Sequence, residues 1–253
     1  MTVSTPLPIA LVTGSSRGIG AATALRLARA DYRVGINYCR DQQGAASVYE
    51  AINANGGQAF MLQADISDES QVEALFLAID QQPGTLQALV NNAGILRPQQ
   101  RLEQMDAARI IAVLNTNVTG TLLCCREAVR RMSTRHGGQG GAIVNLSSIA
   151  ARLGAPHEYI DYAASKGAVD SLTLGLAREV AAEGIRVNAV RPGIIDTGIH
   201  ASGGEPGRVA RLGPQLPMGR GGSAEEVAAA VVWLLSTEAS YVTGSFIDVG
   251  GGR

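Results

Sequence analysis

Short apolar runs recur along the chain, each followed by a longer stretch whose apolar positions return with helical spacing. The runs are Ile9 to Val12, Val34 to Tyr38, Ala88 to Val90, Ala142 to Leu146, Ile185 to Val190 and Phe246 to Val249, with a weaker one at Ala59 to Leu62. Runs this short and this rich in Val, Ile and Leu read as strands buried on both faces. Strand then helix, repeated, implies right-handed crossovers, so the pattern predicts an α/β fold with a seven-stranded parallel, doubly wound sheet and helices on both faces. Because the alternation continues to residue 249, one domain over 1–253 uses the chain better than two.

Punctuation along the chain agrees. Asp68 stands before an amphipathic run as a helix cap, and the glycines at 137, 138, 140 and 141 are expected to stop a long helix before the fifth strand. The stretch 192–222 breaks the rhythm with Pro192, Pro206, Pro214 and Pro217 and many glycines. A long irregular segment inside a compact domain is more often functional than a passive connection, so 192–222 is expected to cover a substrate.

Composition narrows the class of ligand. Hydrophobic residues make up 46% and charged residues 17%, with one Trp, six Tyr and three Phe, so the core must be aliphatic. A net charge of −1 without a basic stripe argues for a small-molecule substrate and against nucleic acid. Arg126, Arg130, Arg131 and Arg135 form a local basic run, read as a solvated or subunit-facing stripe, with an acidic carrier protein as the sharper alternative. Cys39, Cys124 and Cys125 lack paired spacing, and the three histidines lack metal-spaced partners, so neither disulfides nor a metal site is expected. These features lead us to expect a cytoplasmic protein that does not engage a membrane.

The chemistry begins after the first strand. Gly14, Ser16, Arg17, Gly18, Ile19 and Gly20 form a glycine turn that opens a helix, where backbone amides and the helix dipole favour a pyrophosphate. Gly14 to Gly18 also matches the G-x-S-x-G elbow of hydrolases. That reading needs upstream strands for an oxyanion loop and a well-placed histidine, and too little chain precedes Gly14 to supply the strands. The turn therefore reads as a Rossmann-type dinucleotide site.

Further on, Ser148 lies just past the fifth strand, and Tyr162 and Lys166 stand four apart on a predicted helix, so they share one face. The carboxyl edge of a parallel sheet is where ligands bind, which lets these side chains converge beside the cofactor. Tyr159 lacks that spacing and is the weaker candidate base. Of 21 basic residues Lys166 is the only lysine, as though a compact, rotatable ammonium were needed there.

Together, Thr13 and the glycine turn, the segment Asn91 to Gly94, Asn117, Ser148, Tyr162 with Lys166, and Pro192, Gly193 and Thr197 resemble the short-chain dehydrogenase/reductase family over nearly the whole chain. The resemblance is to its glucose 1-dehydrogenase-like and 3-oxoacyl-carrier-protein reductase-like members. It implies an NAD(P)-dependent oxidoreductase that moves a hydride between nicotinamide and a carbonyl or secondary alcohol, with sugars or 3-oxoacyl groups as substrates. Tyr162 would be the acid/base, Lys166 would hold the ribose and favour the phenolate, Ser148 would bond the substrate oxygen, and Asn117 would order a water. Since free tyrosine titrates near about 10, a neighbouring cation is needed for efficient base catalysis.

By the same resemblance Asn91, Ala93 and Gly94 line the adenine and ribose side, Asp65 and Ile66 meet the adenine, and Pro192, Gly193, Ile195 and Thr197 meet the nicotinamide. Ser148 and Tyr162 stand one residue further apart than the family pattern leads us to expect, placing an insertion in the loop from Ala150 to Ile160 beside the substrate. At the end of the second strand the chain offers Asn37, Tyr38 and Arg40 and no carboxylate, so NADP(H) is favoured over NAD(H). Asp41 keeps NAD open, although it reads as a helix cap. A homotetramer, or a homodimer, is implied through the long helices flanking the fifth strand. The alternative is a catalytically inactive NAD(P)-binding redox sensor on the same fold.

Overall fold

The computed structural model describes residues 6–253. Seven strands form one sheet: β1 (Ile9–Val12), β2 (Arg33–Tyr38), β3 (Gln58–Gln63), β4 (Leu86–Asn91), β5 (Gly141–Leu146), β6 (Ile185–Pro192) and β7 (Phe246–Val249). Their order is β3-β2-β1-β4-β5-β6-β7, and every neighbouring pair is parallel. The direction of winding reverses between β1 and β4, which opens a crevice at their carboxyl ends.

Successive residues of a strand face opposite sides, and here both sides are covered. Ala10 and Val12 of β1 pack with Ala24 and Leu27 of α1 (Gly18–Ala28), Val48 of α2 (Gln42–Ala54) and Val231 of a late helix. Ile9 and Leu11 face the other way, against Phe76 of α3 (Glu69–Asp80) and Met132 at the end of a long helix. Those strand residues are fully buried, the situation that demands apolar residues at consecutive positions. Asp41 caps α2 and Asp68 caps α3, each accepting a backbone N–H three residues on, as the sequence suggests.

The long helix runs from Ala107 to Met132 as α4 (Ala107–Leu114), a π-helical turn over Asn115–Thr119 and α5 (Gly120–Met132). It stops a turn before the glycines expected to end it. Ser133 turns extended there, and its hydroxyl accepts from Arg135 N–H in place of the next helical bond. Gly120 is required where α5 passes Ile66, since a Cβ would lie 2.7 Å from the Ile66 carbonyl oxygen.

After β5 come α6 (Ala150–Leu153) and α7 (Ile160–Val180), and between β6 and α10 (Ala224–Leu235) the irregular segment holds two short helices, α8 (Ile199–Ser202) and α9 (Arg208–Leu212). A bridge between Ile195 and Gly222 ties the base of that segment, with Asp196 N–H donating to Gly222 C=O at 2.8 Å. It is therefore a closed excursion that leaves the sheet edge and returns to it.

Candidate active site

Two loops meet at the crevice. Thr13 Oγ1 accepts from the amides of Asn92 and Ala93, both at 3.0 Å, and Asn92 Nδ2 donates to the carbonyls of Thr13 and Gly14, both at 2.9 Å. This clasp brings the chain after β4 against the glycine turn. Gly14 sits at φ 61°, and a Cβ there would lie 2.9 Å from Ala93 Cα, so only glycine fits. Arg17 precedes α1 without a side-chain cap, leaving the first amides of the helix open to an anion. Gly18, at φ 56°, has Thr197 as its neighbour across the crevice, 3.4 Å from where a Cβ would be.

These features fit a nicotinamide dinucleotide: a turn that admits backbone contact, an uncapped helix end for the pyrophosphate, and a cavity running from Ile19 and Gly94 to Tyr162. Ser16 borders the turn half-buried, and Arg17 and Arg40 are exposed beside it. Hydrogen bonds from Ser67, helped by Arg40, outweigh burial and hold the Asp65 carboxyl below its ordinary value. Pro192 and Gly193 line the cavity beside Thr197, and Ile195 anchors the base of the irregular segment.

Four residues expected at the cofactor have side chains that turn into the frame. Asn37 accepts from Gly14 N–H and donates to the carbonyls of Leu62 and Ala64, so its amide braces the glycine turn. Tyr38 is buried in the core, and Asn91 points inward to Asn145 and Cys125. Any contact from these three positions must come from backbone. Ile66 is likewise buried, packed with the α3 and α5 side of the core. Asn92, by contrast, reaches the cavity and holds the clasp.

At the reacting end, Tyr162 occupies the first turn of α7 and Lys166 the next. Lys166 Nζ donates to Leu146 C=O at 2.6 Å and lies 5.5 Å from the Tyr162 ring centroid. A Cβ on Gly94 would be 3.4 Å from Asn117 Oδ1 and 3.6 Å from Lys166 Nζ, which puts all three together. Asn117 lies in the π turn, buried, with its amide exchanging bonds with Ile95 and donating to Ser165 Oγ at 3.1 Å. Ser148, after β5, borders the same cavity.

The electrostatics differ from expectation. Burial pushes the Tyr162 phenol up to about 12, with the Ser148 hydroxyl pulling the other way. Burial also pushes the Lys166 ammonium down to about 8, against the opposing charge of Asp170. In the free protein the lysine hydrogen-bonds a carbonyl instead of favouring the phenolate, because desolvation dominates both groups.

Local sequence gave no sign of what holds α7 in place. Arg109 of α4 binds Asp161, one residue before the tyrosine, at 2.8 Å, with side chains only 11% and 1% exposed. It also donates to Pro98 C=O and Gln100 Oε1. Asp161 in turn accepts from Tyr162 N–H at 2.9 Å. The two partners stand 52 residues apart, beyond the reach of any spacing rule.

The crevice, the clasped loops and the serine, tyrosine and lysine at its end define a nicotinamide-dependent oxidoreductase site. A family model described as enoyl-(acyl carrier protein) reductase matches residues 14–253. The uncharacterized oxidoreductase YgfF of Escherichia coli K12 is 64% identical over 98% of this chain and 100% of its own length. The 3-oxoacyl-[acyl-carrier-protein] reductase FabG of Staphylococcus aureus is 39% identical over 96% of each chain. A short-chain dehydrogenase from Burkholderia cenocepacia J2315, solved in complex with NADP, superposes with TM-score 0.88 at 35% identity, covering 97% of each chain.

The chain belongs to the short-chain dehydrogenase/reductase family. It is an oxidoreductase of that type, acting between nicotinamide and an alcohol or ketone group.

Proposed function

We propose that the chain is an NADP(H)-preferring dehydrogenase/reductase in which Tyr162 is the acid/base. The carrying observation is the convergence of Tyr162, Lys166 and Ser148 on a cavity that reaches Ile19 at the start of α1, with Asn117 beside Lys166 at Gly94. Bound nicotinamide supplies or accepts the hydride. Tyr162 gives its phenolic proton to the carbonyl oxygen in reduction and takes one back in oxidation. Ser148 orients the substrate oxygen toward that proton. Lys166, released from Leu146 C=O, would hold the ribose hydroxyls and set its charge beside the phenol, lowering the tyrosine from its free value. Asn117 steadies the strand-to-helix junction through Ile95 and would order a water behind the lysine.

NADP(H) is favoured because Arg17 and Arg40 flank the end of β2 as exposed guanidinium groups, suited to a 2′-phosphate. Asp41, the next carboxylate along the chain, is engaged as the cap of α2, which weakens the case for NAD(H). In this reading the segment 192–222 is the substrate cover, and the whole chain is one functional domain. Ile111, Leu114 and Leu122 expose an apolar stripe on α4 and α5, which supports self-association as a homodimer or homotetramer. We infer a cytoplasmic enzyme with a small-molecule substrate and no nucleic-acid or membrane partner.

The test follows nicotinamide absorbance with both cofactors against sugars, secondary alcohols, ketones and 3-oxoacyl thioesters, for wild type and Tyr162→Phe. Loss of about 100-fold or more in turnover with cofactor binding retained supports the assignment. A phenylalanine variant of equal activity rejects Tyr162, and a protein that binds cofactor without turnover is the redox sensor instead.

A further inference from the structure

Beyond Tyr162 and Ser148 the cavity is lined by residues of the cover segment, and beside them stand paired charges that sequence spacing does not connect. Arg208, the first residue of α9, is only 6% exposed in its side chain and donates to both oxygens of Glu158, at 3.1 and 2.6 Å. Its guanidinium also donates to Glu205 at 2.8 Å, and Glu205 in turn binds Arg211 and Gln99. Next to Glu158, the Tyr159 hydroxyl donates to Gly203 C=O at 3.2 Å, and Arg208 lies 5.4 Å from the centre of the Tyr159 ring. Glu158 and Arg208 both border the cavity.

Glu158 reaches that position from the loop, Ala150 to Ile160, in which the sequence places a one-residue insertion. The loop turns through left-handed backbone at Gly154, Ala155 and His157, with φ of 74°, 45° and 64°, which alanine and histidine adopt only at a cost. Its carboxyl-terminal part is pinned, since Gln100 N–H donates to Glu158 C=O at 3.0 Å. A strained, tethered loop thus presents one carboxylate to the cover, where a bidentate guanidinium receives it.

Two consequences follow for the substrate. The cavity, about 170 Å³, is walled mainly by aliphatic side chains such as Leu96, Ile149, Leu153 and Ile199. Arg208 and Arg211 are matched by Glu158 and Glu205, so neither guanidinium is left as an uncompensated cation for a carboxylate or phosphate. Independently, three of the four arginines that could have docked an acidic carrier pair within the chain, while Arg135 stays exposed, 3.9 Å from Glu183. Arg126 binds Glu69, Glu73 and Glu127, Arg131 binds Asp80 and Glu127, and Arg130 binds Glu127.

We propose that Glu158 and Arg208 are specificity-determining residues that close the substrate pocket, so that the enzyme takes compact ketones and secondary alcohols and rejects carrier-borne acyl thioesters. This rests on the reading of Tyr162 and Ser148 as the reacting end. The two residues touch neither the hydride nor the proton. They set the length of molecule that fits once the carbonyl lies against the tyrosine.

The test compares ethyl 3-oxobutanoate with the 3-oxobutanoyl thioester of pantetheine, which present the same reacting ketone on a short and a long body. Wild type should prefer the ester by about 100-fold in kcat/KM, within the range that pocket contacts provide. Glu158→Ala and Arg208→Met should each bring that ratio below about 10-fold, mainly by lowering KM for the thioester. Glu158→Gln, which keeps the length and a hydrogen bond, should fall between. NADPH binding, read by nicotinamide fluorescence, should be unchanged in all three and reports that each variant is folded. Equal turnover of ester and thioester by wild type, or a ratio unmoved in the folded variants, overturns the inference while leaving Tyr162 in place. A wild type that binds NADPH and turns over neither compound, nor any other ketone, overturns the proposed function and this inference with it.

Discussion

Replacing Lys166 with methionine should stabilise the cofactor-free protein at neutral pH while abolishing turnover. The side chain is 5% exposed, and burial lowers its ammonium from 10.5 to about 8 despite the opposing charge of Asp170. A drop of that size corresponds to roughly 3 kcal/mol of native-state penalty at pH 7. Methionine removes the penalty and forfeits the hydrogen bond to Leu146 C=O, worth about 1 kcal/mol. The net gain of about 2 kcal/mol predicts a Tm higher by roughly 4–8 °C for a chain of this size.

The sign reverses with pH. Between about 8 and 10.5 the unfolded chain holds the lysine proton and the native protein has released it, so wild-type stability rises through that window. Above it the penalty is gone, and the methionine variant should be the less stable protein by the lost hydrogen bond. Tyr162, raised to about 12, lowers stability as pH climbs from 10 towards 12, but it does so in both proteins and cancels in the comparison. Thermal unfolding of both proteins at pH 7 and at pH 11, above the window, without cofactor, measures the effect. A methionine variant that melts below wild type by the same margin at both pH values would refute the reasoning, because the lysine would then carry no desolvation penalty.

Further outcomes follow from the same geometry. Because burial raises the Tyr162 phenol and Lys166 has to offset that rise, kcat/KM for alcohol oxidation should climb with pH while that for reduction does not, and a flat oxidation profile would show that another group is the base. Arg17→Ala with Arg40→Ala should weaken NADPH by about tenfold or more through lost charge-assisted bonds and leave NADH unchanged, as read by cofactor fluorescence. Arg109→Ala strands the Asp161 carboxylate in the interior and should cost about 3–5 kcal/mol in denaturant unfolding, with Arg109→Lys recovering part of it.

Much of this protein is legible as pattern. Apolar runs of strand length separated by helical periodicity lead to a doubly wound parallel sheet, because a strand buried on both faces needs apolar residues in succession. The glycine turn announces a dinucleotide because only glycine takes the backbone of Gly14 and its approach to Ala93. Tyr162 and Lys166 share a face because a helix repeats every turn. Each of these follows from local geometry, so neighbouring residues suffice to state it.

The direction and commitments of individual side chains were decided only by the tertiary structure. Asn37, Tyr38 and Asn91 stand where a cofactor contact is expected, yet their side chains serve the frame, because partners at Gly14, in the core and at Asn145 claim them. The π turn that carries Asn117 has no local signature. The Arg109–Asp161 and Arg208–Glu158 pairs join residues 52 and 50 positions apart, and no periodicity in the chain encodes a contact at that distance. Lys166 can be found by counting lysines, but its depressed proton affinity comes from the wall built around it. Burial is a property of the assembled fold, and with it come the energies that determine which groups are charged, which are braced and which remain free to meet a substrate.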